Sequence, residues 1–283
     1  MKLKNQFIAA VFVLVSLTGK GQSFAEKSEL GFLVGGSYYT GELNRLGHFR
    51  QLSPAAGLIY RYNVNSRLAL RGSVFGGHIK GDDAKSRLNY NQNRNLSFRS
   101  PIVEGAFGLE FNYLPYASGR LFGERFWYSP YMIIQIAAYY FNPQGELNGD
   151  WYELQPLGTE GQGTSLSNRS TYSRVQVSMP MGLGFKFNIH KKIQISLEYG
   201  IRLTFTDFLD DVAGTYVDPV ELAAINGGVA ANFSDPSLNQ IGFSGRNTGM
   251  RRGDGAFKDW YSFFGIGITF KLGQRPTCPM NEQ

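Results

Sequence analysis

The chain has little of several things that stabilise or equip a fold. It holds one cysteine and three histidines in 283 residues. A single cysteine excludes an internal disulfide framework. Three scattered histidines (His48, His78 and His190) supply no metal or acid–base cluster of the kind catalysis needs. No segment is apolar over the about 20 residues that a spanning helix requires, and long polar helical patterns are missing. Glycine (35), phenylalanine (22) and tyrosine (16) are abundant, a composition that suits many strands and turns.

The first residues read as a secretory leader. Lys2 and Lys4 precede an apolar run from Phe7 to Leu17, and Ser23-Phe24-Ala25 forms a small-x-small cleavage signal. The expected organisation is a leader over 1–25, one domain over 26–273 and a short tail over 274–283 that carries Cys278. Removing Lys2, Lys4 and Lys20 lowers the formal charge from +6 to +3. The basic balance is therefore partly a targeting feature and makes no case for nucleic acid. Cys278 is expected either as a free thiol in the tail or in a disulfide with another chain.

The segment 193–205 alternates without a break. Its seven odd positions are apolar or aromatic, and its even positions are polar or glycine. Successive side chains of a strand point to opposite faces, so this strand has one apolar and one polar face. Seven further segments read as strands: 30–39, 55–63, 67–77, 103–113, 127–141, 174–189 and 261–272. The 127–141 segment is the least regular, because Tyr131 and Ile133 fall on its polar side.

The polar faces together carry Arg61, Arg71, Glu104, Glu110, Lys186, Glu198, Arg202 and Lys271. A soluble core would not tolerate these charges, whereas a membrane barrel places them in its lumen and its apolar faces against lipid. An interior eight strands wide is just filled by side chains, so these eight are expected to pair and plug it. The connections also alternate. Those at 39–54, 77–102, 141–174 and 205–260 are long, those at 63–67 and 188–192 are tight, and 114–126 is intermediate. Short turns at one end and long loops at the other are the outer-membrane pattern, and an even strand count puts both termini in the periplasm. Tyr38, Tyr39, Tyr60, Tyr62, Trp127, Tyr128, Tyr139, Tyr140, Trp260 and Tyr261 lie near strand ends, as interfacial girdles would. The expected fold is all-β: an eight-stranded antiparallel transmembrane β-barrel with long outer loops. Its longest connection is too long for passive coil and is expected to fold over the mouth. A short helix is expected over 219–226, with Asp218 as its cap and Pro219 in its first position.

Three constellations invite chemistry. Asp207, Asp210, Asp211 and Asp218 are clustered carboxylates of the kind calcium binds. The spacing and glycine turn of an EF-hand loop are absent, so a solvated or arginine-paired loop is the favoured reading, with Arg99, Arg251 and Arg252 as partners. Gly158-Thr159-Glu160-Gly161-Gln162-Gly163 lacks the Gly-Lys-Ser/Thr ending of a phosphate loop and reads as a turn-rich surface loop. His48, His78, Asp82, Asp83 and Asp210 share the long-loop side but form no recognisable catalytic set, so no enzymatic activity and no cofactor are expected.

Several segments outside the strands resemble one known family. They are Tyr38-Tyr39-Thr40-Gly41-Glu42-Leu43-Asn44, Lys80-Gly81-Asp82-Asp83-Ala84, Arg94-Asn95-Leu96-Ser97-Phe98-Arg99-Ser100, Leu154-Gln155-Pro156-Leu157-Gly158-Thr159-Glu160-Gly161-Gln162-Gly163, and Phe205-Thr206-Asp207-Phe208-Leu209-Asp210-Asp211-Val212. Their order is similar to that of the PorG proteins, small outer-membrane barrels of the type IX secretion system in the Bacteroidota. The likeness covers nearly the whole mature chain. It implies a structural role in protein export, and in gliding, through association with a periplasmic ring of a lipoprotein (PorK-like) and its partner (PorN-like). The contact surface would then lie on the periplasmic side, where Arg67, Arg120, Arg125, His190, Lys191, Lys192 and Cys278 are the candidate residues. Two other functions fit a barrel: a surface receptor or adhesin acting through its long loops, and a small porin, which a charge-filled lumen disfavours.

Overall fold

The computed structural model describes residues 27–45, 47–239, 247–255 and 258–272. The leader and the tail with Cys278 lie outside the described residues. Ten strands form one antiparallel sheet: β1 (Ser28–Thr40), β2 (Ser53–Asn63), β3 (Leu68–Asp82), β4 (Ser97–Asn112), β5 (Tyr128–Phe141), β6 (Gln144–Leu147), β7 (Asp150–Glu153), β8 (Val175–His190), β9 (Ile193–Thr204) and β10 (Trp260–Leu272). β1 pairs with both β2 and β10, and β3 pairs with both β2 and β4. The remaining ladders run β4–β5, β5–β8, β8–β9 and β9–β10, so eight strands close on themselves. The small β6–β7 hairpin stands outside the cylinder and joins β4 through the single pair Arg99–Gln144.

Side-chain placement is inside-out relative to a soluble core. Ile136 and Phe107 on the outer face are 72% and 64% exposed, whereas Arg61, Arg71, Glu110 and Lys186 are fully buried. Leu30, Phe32 and Val34 on β1, Val175, Val177 and Leu183 on β8, and Ile266, Ile268 and Phe270 on β10 extend this apolar belt. Such a surface is stable against hydrocarbon and not against water. Tyr131 and Ile133 of β5 do point into the lumen and are fully buried there, so the irregularity in that segment reflects a luminal packing site.

Pro180 lies in the middle of β8. The β5–β8 ladder is continuous to Ile134–Met181 and resumes at Ala137–Ser178, skipping the two steps at Pro180 and Met179. A proline has no N–H to donate to a ladder.

Two features depart from the sequence reading. β3 and β4 continue past the expected strand ends, with His78 through Asp82 paired to Pro101 through Ser97. This hairpin stands above the barrel rim. The expected aromatic girdle is also thinner. Tyr60, Tyr128, Tyr140 and Trp260 face outward, but Tyr39, Tyr139 and Tyr261 point inward and are buried in the mouth. Tyr38 lies on the outer face yet is covered, because Phe49 packs on its ring and its hydroxyl meets His48 and Tyr199. Adjacent residues face opposite ways, so each Tyr-Tyr pair can place only one ring in the girdle.

Candidate functional site

The lumen is filled by buried ion pairs in two groups, a six-residue network around Glu110 and a separate pair nearer the mouth. Glu110 of β4 lies at the centre of the network, 2.6 Å from Arg61 of β2, 3.1 Å from Arg71 of β3 and 2.5 Å from Lys186 of β8. Arg71 also meets Glu198 of β9 at 2.8 Å, and the Tyr131 hydroxyl donates to Glu198 at 2.8 Å. Arg61 reaches Glu29 of β1 at 3.8 Å, and Asn63 donates to that carboxylate. Nearer the mouth, Arg202 pairs with Glu104 at 3.4 Å, Tyr261 donates to Glu104, and the guanidinium lies 5.2 Å from the Phe75 ring.

Seven of the eight charged residues assigned to the lumen from the strand pattern meet in these contacts. Lys271 does not. It is half-buried at the end of β10 and forms none of these pairs among the described residues. Glu29 takes part instead, 1% exposed. With that exchange the two groups together balance four carboxylates against four cations. Neutrality matters because an unpaired buried charge costs several kcal/mol. Glu29 is legible in hindsight: it occupies an inward position of β1 opposite Arg61.

Both ends are closed. At the end bearing the tight turns, the 113–127 connection folds across the opening. Tyr116 is 3% exposed, donates to Asn188 at 2.5 Å and lies 4.4 Å beneath the Lys186 ammonium. Gly119 at φ +86° lets this connection touch the backbone of Lys191, where a Cβ would sit 2.6 Å from the carbonyl oxygen. Within the lumen, the cavity between Phe75, Glu104, Arg202, Tyr261 and Phe263 has a volume of about 20 Å³. That is room for a single water.

At the opposite end the long loops form a packed cap. Tyr39, Leu43, Ile79, Phe98, Phe141, Leu154, Tyr172, Leu209 and Val212 share one apolar cluster that joins strand ends to all four long connections. Arginines lock the loops together. Arg94, on a short helix α1 (Asn89–Arg94), holds Asp83 through two contacts of 2.7 and 2.9 Å and donates to the Arg252 carbonyl. Arg252, 2% exposed, meets Glu160 at 3.1 Å and donates to the carbonyls of Asp211, Phe233 and Ser234. Helix α2 (Pro219–Asn226) starts as expected, with Asp218 accepting from the Val220 and Glu221 N–H groups, and α3 (Gly228–Ser234) follows it.

The cap corrects two sequence expectations. Thr159, Glu160 and Gln162 are buried, so the glycine-rich turn is an interior piece of the cap and not a surface loop. The acidic residues are not simply solvated or paired with arginine. Asp211 accepts from Thr159 and Tyr172, Asp218 caps α2, and Asp210 turns toward Tyr39. Arg251 pairs with Asp254, and Arg99 stacks on Trp151 at 3.4 Å. Burial pushes the Asp211 carboxyl up to about 6, against the opposing pull of Arg252 and of its two hydroxyl donors.

The turn end carries the candidate contact residues. Arg67, Arg120, Arg125, His190, Lys191 and Lys192 are all exposed there. Phe122 beside them is 82% exposed, and Arg120 is only loosely paired with Glu124 at 3.9 Å. Arg67 donates to the Tyr113 carbonyl, which ties the first tight turn to the 113–127 connection.

The family model described as "Domain of unknown function (DUF6089)" matches residues 5–226. The chain belongs to this family. In DUF6089 terms, the matched residues include β1 to β9 and α2. No curated protein matches the chain. Among solved structures, the barrel is similar to Ail, the attachment invasion locus protein of Yersinia pestis, at 12% identity and a TM-score of 0.39, covering 86% of this chain and 96% of that one. It is also similar to Neisserial surface protein A, at 8% identity and a TM-score of 0.40, covering 87% and 97%. The N-terminal barrel domain of Pseudomonas aeruginosa OprF gives 8% identity and a TM-score of 0.34, covering 87% and 98%.

Proposed function

We propose that this DUF6089 chain is a structural subunit of an export machine in the outer membrane, of the PorG kind, which anchors a periplasmic ring of PorK-like and PorN-like proteins. The observation that carries this reading is a lumen filled by a neutral set of buried ion pairs and closed at both ends. A barrel without a passage acts through its outer surfaces. The lipid belt holds it in the membrane, and the buried ion pairs together with the loop cap make it rigid. The exposed cations at the turn end then offer an acidic partner a docking face on the periplasmic side. The order of family-like segments along the chain supports the assignment to type IX secretion and gliding.

The test is affinity purification of the tagged protein from detergent-solubilised outer membranes, under non-reducing conditions, followed by mass spectrometry. Recovery of the ring lipoprotein and its partner is expected, as is their loss when Arg67, Lys191 and Lys192 are changed together to Glu. Recovery of the barrel alone, with intact rings in the same extract, would overturn the reading.

One observation favours a receptor instead. A cleft of about 630 Å³ lies in the loop cap, lined by Arg45, Arg50, Lys85 and Arg87. Loss of anion binding at this cleft on loop deletion, with secretion intact, would move that reading to first place.

A further inference from the structure

Three carboxylates from separate segments meet at the mouth of the barrel. Glu42 follows β1, Asp210 lies in the long connection after β9, and Asp259 immediately precedes β10. One oxygen from each lies within 4.8 Å of the other two. Each carboxylate is fixed by its second oxygen. Glu42 Oε1 accepts from the Asp254 N–H at 3.0 Å, Asp210 Oδ1 from the Val212 N–H at 2.9 Å, and Asp259 Oδ2 from the Leu209 N–H at 3.0 Å. The three remaining oxygens converge on the Tyr39 hydroxyl, at 2.5 Å for Asp210, 2.8 Å for Asp259 and 3.5 Å for Glu42. A hydroxyl has one proton. It satisfies one of these oxygens and leaves the others facing one another.

A fourth acid stands beside them. Asp207 is 4% exposed, and neither of its carboxylate oxygens has a hydrogen-bond partner among the described residues. Its charge acts on Asp259, and Glu42 exerts the strongest charge effect on it. The nearby cations are committed or distant. Arg94 acts on Glu42 and Asp210 but is held by Asp83, Arg169 is paired with Glu160, and Lys258 acts on Asp207 without direct contact. Among the described residues none of the four acids forms an ion pair. Gly41 lets the Tyr39 hydroxyl and Asp259 pack directly against the backbone, since a Cβ there would lie 1.9 Å from the hydroxyl and 2.1 Å from Asp259 Oδ1.

We propose that Glu42, Asp210 and Asp259, with Asp207 and the Tyr39 hydroxyl beside them, bind one divalent cation of the calcium type at the barrel mouth. The donor set is all oxygen, which selects a hard cation. Carboxylates drawn irregularly from three segments suit calcium's flexible six- to eightfold coordination better than magnesium's strict octahedron. The bound ion would tie the segment after β1 to both ends of the 205–259 connection, and so hold the cap shut. This site is independent of the ring-anchoring role.

The experiment uses the full chain in detergent, stripped with EDTA and confirmed as folded by circular dichroism. Calcium binding is measured by equilibrium dialysis, with a parallel magnesium titration. One calcium per chain is expected, with at least tenfold weaker binding in Asp210→Asn and in Asp207→Asn, and unchanged binding in Asp150→Asn. Calcium should also slow proteolysis within 205–259. Folded wild-type protein that takes up no calcium at millimolar concentration would overturn the site, whatever the variants do. Unchanged affinity in an Asp210→Asn, Asp259→Asn double variant would overturn it too. Magnesium binding as tight as calcium would overturn the calcium assignment.

Discussion

Glu110 makes three charged contacts in the lumen, with Arg61, Arg71 and Lys186, and all four side chains are fully buried. Changing it to Gln leaves three cations with one fewer countercharge. Breaking a buried pair typically costs about 3–5 kcal/mol. Glu110→Gln is therefore expected to lower stability by that order, read as a shifted urea midpoint in detergent. Lys271→Ala, at a half-buried position outside the network, is expected to change it by less than about 0.5 kcal/mol. The contrast between the two separates a connected network from scattered luminal charge. Period-two alternation on β2, β3, β4, β8 and β9 made seven of the paired charges legible, because parity alone assigns a face. It could not grade depth along the barrel, so Lys271 at the strand end looked equivalent to Lys186 in the middle. Glu29 was overlooked because it sits beside the leader, before the alternation of β1 becomes evident.

At the scale of elements, the strands were readable and the loops were not. Strand faces follow from a local repeat, but the cap depends on contacts between residues far apart in the chain. Arg252 and Glu160 are 92 positions apart, and Arg94 and Arg252 are 158 apart. No short-range pattern signals such a pairing. Only α2 was visible beforehand, because an Asp cap and a Pro at the first helical position are local signals. Arg252 gathers four partners from three stretches of chain. Replacing it with Met is expected to loosen the cap while sparing the barrel. Limited proteolysis should then cut within 142–174 and 205–259 several times faster, with the β-sheet circular dichroism unchanged. At the other end, Tyr116→Ala removes the ring beneath Lys186 and the hydroxyl bonded to Asn188. It should cost about 3–5 kcal/mol, as a buried aromatic does, and the same urea titration reads it.

For the whole molecule, the decisive property is closure. Among the described residues, charges in the middle, Tyr116 at one end and the loop cap at the other leave no continuous passage. Planar-bilayer recordings of the purified protein are expected to show no single-channel steps. Steady conductance in folded protein would sink the structural reading of the lumen and return the porin reading to consideration.

The seam between β1 and β10 has a kinetic meaning. Thirteen residue pairs, from Ser28–Leu272 to Thr40–Trp260, join the first strand of the barrel to its last, so the cylinder cannot be sealed until β10 has been delivered. Until then β1 and β9 each present a bare edge, a template for pairing with any other strand in reach. A contact between such remote segments is also slow to form. The nascent barrel therefore spends its most vulnerable interval open along one side. A truncated product that stops before Trp260 would remain in that state, sticky at two edges and dependent on whatever factor escorts it.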